Sequence, residues 1–439
     1  MATETLGGTV IIDLGLDRGE PETYATPTRS TVPGWFGPLI LALLLLISVG
    51  GSGAPAPAPL SEVLTLRVSP ADSYAVTGSG QLLAQSYGTL TSYDLADGRQ
   101  QWQAAAVAPT YRLRASSGLV LLRPLTAGPA GLSTTAVDMS SGAVRWRHRG
   151  SVVTVAGSSA LLAVSGVRTL STAGRRIEGP VESVDPATGA TRWSFTVPST
   201  AVLLGVPGPA GSPPRMLLVH DNRTLALHDL GTGELLATAA LPPADYGPEN
   251  PAVSGGLILL RHPIDRGSQI SAYDPVTLAL RWQRPAGGAY EAQPCGALAC
   301  LGGPDGVAAV DPADGAIRWY QPGWRSVEQR GGLLLAYSSQ SSSTEPVGLV
   351  DPGTGRVLLD LRGWRPLTST GGGGDQVLVT RVVEAGARTI VAVARPGDRQ
   401  PRLLAGLPPG TGDCQAVPDR LICRSTSGEL IVWAYRKKG

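Results

Sequence analysis

Lysine is nearly absent from this chain: of 36 basic residues, all but Lys437 and Lys438 are arginine. Without a lysine inside the body of the chain, neither a phosphate-cradling P-loop nor a Schiff-base nucleophile can be built there. Histidine is scarce as well, and His148, His220, His228 and His262 are scattered along the chain at strand positions. The motifs G-x-S-x-G, H-E-x-x-H and C-x-x-C do not occur, so the usual signatures of serine hydrolases, zinc proteases and dithiol oxidoreductases are missing. Basic and acidic residues nearly cancel, at 36 against 34, which gives no electrostatic case for a nucleic-acid partner. Only 16% of residues are charged, a fraction too low for a disordered chain. Long hydrophobic runs are also rare, and a single one stands out, WFGPLILALLLLISV from Trp35 to Val49.

What the chain does have is repetition. A ten-residue phrase recurs as YDLADGRQQW (93–102), VDMSSGAVRW (137–146), VDPATGATRW (184–193), HDLGTGELLA (228–237), YDPVTLALRW (273–282), VDPADGAIRW (310–319) and VDPGTGRVLL (350–359). Its aspartates, Asp94, Asp138, Asp185, Asp229, Asp274, Asp311 and Asp351, stand 37 to 47 residues apart. Four strands of about 5–6 residues with their turns fill such a period, so each copy marks one four-stranded sheet. Within the phrase the aspartate accepts hydrogen bonds from N–H groups just ahead, a proline often fixes φ, and a glycine takes the positive φ of a tight hairpin. The tryptophans, Trp102, Trp146, Trp193, Trp282 and Trp319, are placed to dock on a neighbouring copy, with the indole N–H seeking a backbone acceptor. Ala237 and Leu359 replace the tryptophan in two copies, and Leu278 replaces the glycine in one.

A second apolar strand precedes each phrase, among them GLVLLRP (118–124), GLILLRH (256–262) and GLLLAYS (332–338), and two weaker strand pairs follow the last phrase. EVLTLRV (62–68) supplies the outer strand that the last sheet lacks, joining the two ends of the chain. Radial closure of this kind leaves only short protected edges.

The D-x-x-(T/D)-G-x-x-x-W phrase resembles the PQQ-binding-like β-propeller repeat of quinoprotein dehydrogenases and of a bacterial outer-membrane assembly lipoprotein, over roughly residues 62–439. The resemblance implies an all-β fold, a propeller of four-stranded blades. Nine strand pairs are counted while propellers usually have four to eight blades, so the expectation is eight blades with nine as the alternative, and the apolar run adds one transmembrane helix before them. The dehydrogenases' cofactor site does not carry over. Their pattern has two adjacent cysteines against the quinone, a calcium cluster and a catalytic aspartate, whereas the closest cysteines here are Cys295 and Cys300. The expectation is therefore no enzyme activity, no cofactor and no metal, with the repeated aspartates acting as turn caps.

The expected organisation is a disordered cytoplasmic tail over 1–34, a transmembrane helix over 35–52, a Pro/Ala linker over 53–61 and the propeller over 62–439. The apolar run has the length of a bilayer crossing and begins with an interfacial aromatic pair, Trp35 and Phe36. Prolines after the small-residue cleavage positions at Ala54 and Ala56 argue for a retained anchor. Two arginines before the run against Arg67 after it place the N-terminus inside the cell and the propeller outside. A short apolar piece, GTVIIDLGLD (8–17), lies in the tail. The four cysteines form two local pairs, Cys295 with Cys300 and Cys414 with Cys423, which read as disulfides of an oxidising compartment. The functional expectation is a monomeric scaffold in the cell membrane, taking a protein or an envelope ligand on one propeller face. A quinone- or carbohydrate-active enzyme using the central funnel and a transmembrane sensor are the competing readings.

Overall fold

A computed structural model describes residues 60–69, 72–105, 110–124, 133–155, 157–164, 168–169, 174–208, 212–242, 247–339, 345–369, 376–383 and 388–435, with 33, 35 and 38–42 near the N-terminus. The chain divides into two compact units, Met1–Pro57 and Ala58–Gly439. In the first, residues 38–42 are helical. Among the described residues no helix is long and apolar enough to cross a membrane. The expected tail over 1–34 except residue 33, with its segment 8–17, twelve of the eighteen residues of the expected span over 35–52, and the linker up to residue 59 lie outside the described residues.

Apart from one short parallel pair, the described strands of the second unit are paired antiparallel. Each phrase is the last hairpin of a four-stranded sheet, as its turn chemistry requires, and the strand order repeats from inner to outer edge. We number the sheets in chain order: sheet 1 covers 74–104, sheet 2 110–149, sheet 5 249–285, sheet 6 291–322, sheet 7 324–360 and sheet 8 365–406. Sheets 3 and 4 are hydrogen-bonded into one eight-stranded array because Thr191–Val206 runs on from the outer edge of sheet 3 to become the inner strand of sheet 4. Arg175–Val184 follows it, pairing Ser183 with Trp193 at one end and Arg176 with Val202 at the other. Sheet 9 joins 411–435 to Leu60–Arg67.

The sheets are held face to face by nine apolar clusters, each shared by two successive sheets. Leu83 and Trp102 of sheet 1 meet Leu113 and Leu122 of sheet 2. Val202 and Leu217 of sheet 4 meet Ile258 and Leu278 of sheet 5. The ninth cluster packs Ile422 and Val432 of sheet 9 against Leu82 and Leu95 of sheet 1, which returns the series to its start. The described strands thus contain nine four-stranded sets, the number given as the alternative to the expected eight.

The expected joining of the chain ends is present. Leu64, Leu66 and Arg67 pair with Val432, Leu430 and Glu429. Leu60 and Ser61, expected in the linker, already pair with Tyr435 and Ala434, so the strand begins two residues earlier than the hydrophobic pattern indicates. Sheet 8 is the least regular, because its inner strand is only Arg365–Pro366. Pro366 has no N–H to give to a ladder, and Thr368–Ser369 pairs in parallel with Thr411–Val417 of sheet 9 instead.

Candidate functional site

The repeated turn is the chemically richest element. In each, the aspartate Oδ1 accepts from N–H groups two or three residues on: Ala187 and Thr188 reach Asp185 at 2.8 and 3.0 Å, and Gly231 and Thr232 both reach Asp229 at 2.8 Å. Asp94, Asp138, Asp274, Asp311 and Asp351 are engaged in the same way by Ala96, Ser140, Val276, Ala313 and Thr354. The seven carboxylates are therefore turn caps, each consumed by its own hairpin. Among the described residues no cluster of histidine, cysteine, aspartate and glutamate is arranged to hold a metal ion.

The other carboxylate oxygen has a partner that the sequence reading does not assign. Seven residues after the aspartate, an arginine returns to Oδ2, with Arg145 Nε 2.9 Å from Asp138 and Arg192 and Arg318 Nε each 3.0 Å from Asp185 and Asp311. Arg281 makes the same pair with Asp274. A register shift between the last two strands re-aims this side chain, because the arginine is the extra residue of the bulge. The available signal was the dipeptide Arg-Trp, which closes four of the seven phrases.

These contacts hold the carboxylates below their usual range. Asp185 is lowered to about 2, first by Arg192 and then by the Thr188 and Ala187 amides. Asp138 is lowered chiefly by the Ser140 hydroxyl and then Arg145. Asp274 is lowered chiefly by Arg281. A carboxylate so held is a poor general acid or base near neutral pH.

The tryptophans tie each sheet to the next. Trp102 donates its indole N–H to the Met139 carbonyl at 2.8 Å, and Trp146, Trp282 and Trp319 donate to Pro186, Pro312 and Pro352 at 2.9 Å. In every case the acceptor is the residue after the turn aspartate of the following sheet. The ring also lies on that turn's glycine: a Cβ at Gly189 would stand 2.6 Å from the Trp146 ring, and one at Gly142 2.5 Å from the Trp102 ring. Glycine is required there twice, for its positive φ of 73–74° and for its missing side chain.

Trp193 departs from the pattern. It lies on Gly233, but its buried N–H has no acceptor. Its ring instead stacks on Phe195 at 5.6 Å, which stacks on His228 at 4.7 Å. Burial pushes the pKa of His228 down, so the imidazole in this stack is neutral near pH 7. The lost glycine and one lost tryptophan explain each other. Ala237 of sheet 4 leaves the indole space vacant, and Leu278 of sheet 5, at φ 56°, packs beside it in the same cluster.

The remaining histidines are strand residues. His262 is fully buried with Nε2 2.7 Å from Ser271 Oγ, and burial lowers the pKa values of both His262 and His220. His148 lies 3.4 Å from Glu182. Both disulfides are formed, Cys295–Cys300 in sheet 6 and Cys414–Cys423 in sheet 9, the latter between directly paired residues. The structure thus brings each aspartate to its own turn and each tryptophan to its neighbour's turn, and gathers neither set into one pocket.

One surface feature repeats with the sheets. The residue just before the register shift of the outermost strand is apolar and exposed in six sheets: Val144, Leu235, Leu280, Ile317, Val357 and Leu403, 42–60% exposed. Sheets 4 to 8 carry it without a break, while sheets 1 and 3 have Gln100 and Thr191 there.

The family described as outer membrane protein assembly factor BamB has a model that matches residues 61–166 and 177–331. Solved structures similar to this chain include BamB from Moraxella catarrhalis, at 16% identity and a TM-score of 0.40, covering 87% of this chain and 99% of that one. A europium-containing methanol dehydrogenase is similar at 12% identity and a TM-score of 0.36, covering 59% and 69%. Quinohemoprotein alcohol dehydrogenase from Comamonas testosteroni is similar at 12% identity and 0.36, covering 87% and 78%. None of the curated proteins matches this chain.

Proposed function

Because this chain belongs to the outer membrane protein assembly factor BamB family, a PQQ-like β-propeller family whose model matches more than half of it, we propose that it is a non-catalytic scaffold. Its nine-bladed propeller binds a protein partner and is held at the cell membrane, outside the cytoplasm. The observation that carries this reading is the unbroken arc of exposed apolar residues on the outer strands of sheets 4 to 8, Leu235, Leu280, Ile317, Val357 and Leu403. Outermost strands also end their sheets with one edge free to pair, and exposed apolar side chains beside such edges favour a protein partner. The consumption of every repeated carboxylate by its own turn supports the non-catalytic part.

Anchoring rests on the run Trp35–Val49, and an extracytoplasmic position on the two disulfides, which persist outside a reducing cytosol.

A photo-crosslinking residue placed at Leu280 or Ile317 in the intact membrane protein should capture one discrete protein. The double variant Leu280→Asp/Ile317→Asp should abolish that capture from a crosslinker at Val357 and leave thermal unfolding unchanged. In parallel, adding pyrroloquinoline quinone with calcium should produce neither a bound chromophore nor dye reduction. A stoichiometric chromophore would replace the scaffold reading with the enzyme reading.

A further inference from the structure

Four interfaces of the propeller are clamped by an indole N–H given to a carbonyl in the next sheet's turn. Sheets 4, 7, 8 and 9 lack the tryptophan, and sheets 4 and 9 share a further feature. In sheet 4 the position is Ala237, which faces Leu227 across the register shift. In sheet 9 it is Leu64, which follows the same kind of shift, and its Cβ lies 3.3 Å from where a Cβ on Gly98 of sheet 1 would stand. Both sheets have an arginine at one equivalent place, the first residue of the second strand. Arg215 opposes Asp229, and Arg420 opposes Ala434, each of which is the second residue beyond the shift on the third strand. In sheets that keep their tryptophan the same place holds Gln81 or Leu119, opposite Asp94 and Asp138.

Both arginines reach the turn of the following sheet. Arg420 donates through Nε to the Leu95 carbonyl and through Nη2 to the Ala96 carbonyl at 3.1 Å. Leu95 follows the turn aspartate of sheet 1, and its carbonyl is the one an indole addresses at the clamped interfaces. Arg215 donates through Nη1 to the Val276 carbonyl, 3.3 Å away and two residues past Asp274. We propose that Arg215 and Arg420 are replacement clamps that substitute for the missing tryptophans, and that Arg420 latches the one interface where the two chain ends close the propeller.

The chemistry fits the substitution. A guanidinium carries several donors in a fixed fork on a long stem, so it can cross an interface that has lost its indole and still satisfy the same carbonyl. Sheet 7 also lacks the tryptophan, at Leu359, but has Leu333 at the arginine place; its interface with sheet 8 has neither device and is closed by Leu359, Leu361 and Trp364 in an apolar cluster. Arg420 has a companion on the same interface. Arg424 donates to the carbonyls of Ser69 and Asp72 and lies 5.2 Å from the Tyr74 ring centroid, so these three residues are held from sheet 9 as well.

The test is native-state hydrogen exchange on the full chain, read by peptide. Arg420→Ala should speed exchange in 60–67 about five- to tenfold, the worth of one buried-edge hydrogen bond, and leave 291–322 unchanged. Arg420→Lys should recover at most part of this, because an ammonium cannot reach two carbonyls in the same fork. Arg399→Ala, at an exposed turn, is the control. For the other arginine the decisive background is Ala237→Trp/Leu278→Gly, which restores the indole and its glycine. There Arg215→Ala should have no effect on exchange in 274–285, although it speeds it several-fold in the natural background. The proposal is overturned if Arg420→Ala behaves like Arg399→Ala, or if Arg215→Ala costs the same in both backgrounds. If the restored pair does not fold, the Arg420 series still decides.

Discussion

Sheets 1 to 7 and sheets 8 to 9 solve one packing problem by different means. In the first group the junctions are set by a turn that caps itself with aspartate and presents a bare glycine to the previous sheet's tryptophan. In the second group no such phrase exists; Leu407, Leu421, Ile431, Trp433 and Tyr435 fill the junction between sheets 8 and 9, with the aromatics supplied by the third strand of sheet 9. The difference teaches that the phrase is a local device for joining neighbours, and that a propeller can dispense with it where bulk apolar packing serves. A mixed case sits between them, where Leu278 takes up space that Ala237 leaves.

The sharpest way to break this comparison is to remove an indole. Trp146 is 6% exposed and gives both area and a hydrogen bond, so Trp146→Ala should cost about 3–5 kcal/mol in denaturant unfolding. Removing one apolar side chain from the junction of sheets 7 and 8, which has no indole clamp, by Leu359→Ala, should cost less, about 2–4 kcal/mol. Equal costs would mean that the indole clamp adds nothing special.

Two glycines give the next contrast. Gly189 and Gly397 both have positive φ, but only Gly189 lies beneath a tryptophan, with open space around the other. Gly189→Ala should therefore cost about 2–4 kcal/mol, from backbone strain plus overpacking, against about 1 kcal/mol for Gly397→Ala. Thermal melts of the two variants check this.

The disulfides extend the comparison, since one lies in each group. Cys414→Ser/Cys423→Ser should lower stability by about 2–3 kcal/mol and should loosen exchange in sheet 9 without affecting sheets 1 to 5. Peptide-level exchange reads it directly.

Acid provides the mildest perturbation. Asp138, Asp185, Asp274, Asp311 and Asp351 have folded pKa values below the ordinary 3.8. Their unfolded forms bind protons first, so the stability they contribute is complete above about pH 4 and is lost as pH falls toward about 2. His220, His228 and His262 are held below 6.5 by burial, so stability begins to decline as pH drops through that value. Unfolding midpoints measured from pH 7 to pH 2 should fall in these two stages, and Asp185→Asn should blunt only the lower one.

Much of this was legible in the sequence because its causes are local. The turn aspartates, the glycine, the docking of the tryptophans, the closing strand near residue 64 and both cysteine pairs follow from residue type and spacing. The bulge was not, since a single extra residue looks like ordinary strand in a one-dimensional pattern; without it the arginine of Arg-Trp has no visible target. Cross-sheet contacts such as Arg420 to Leu95, separated by 325 residues, leave no periodic trace. The strand pairs in 365–406 and 411–435 were legible although they lose the phrase, and the expectation fell to eight sheets, with nine as the alternative, only because propellers usually have four to eight blades. Nor does composition reveal which apolar residues stay exposed, because Leu280 and its counterparts are ordinary strand formers in the sequence.

The propeller is closed where its two chain ends meet and Thr65 pairs with Ile431. In the double variant Thr65→Cys/Ile431→Cys, made in the full chain and isolated under oxidising conditions, the two new thiols should cross-link within one molecule, as shown by peptide mapping of non-reduced protein. Two free thiols, or links only between separate molecules, would contradict a propeller closed by its own first strand.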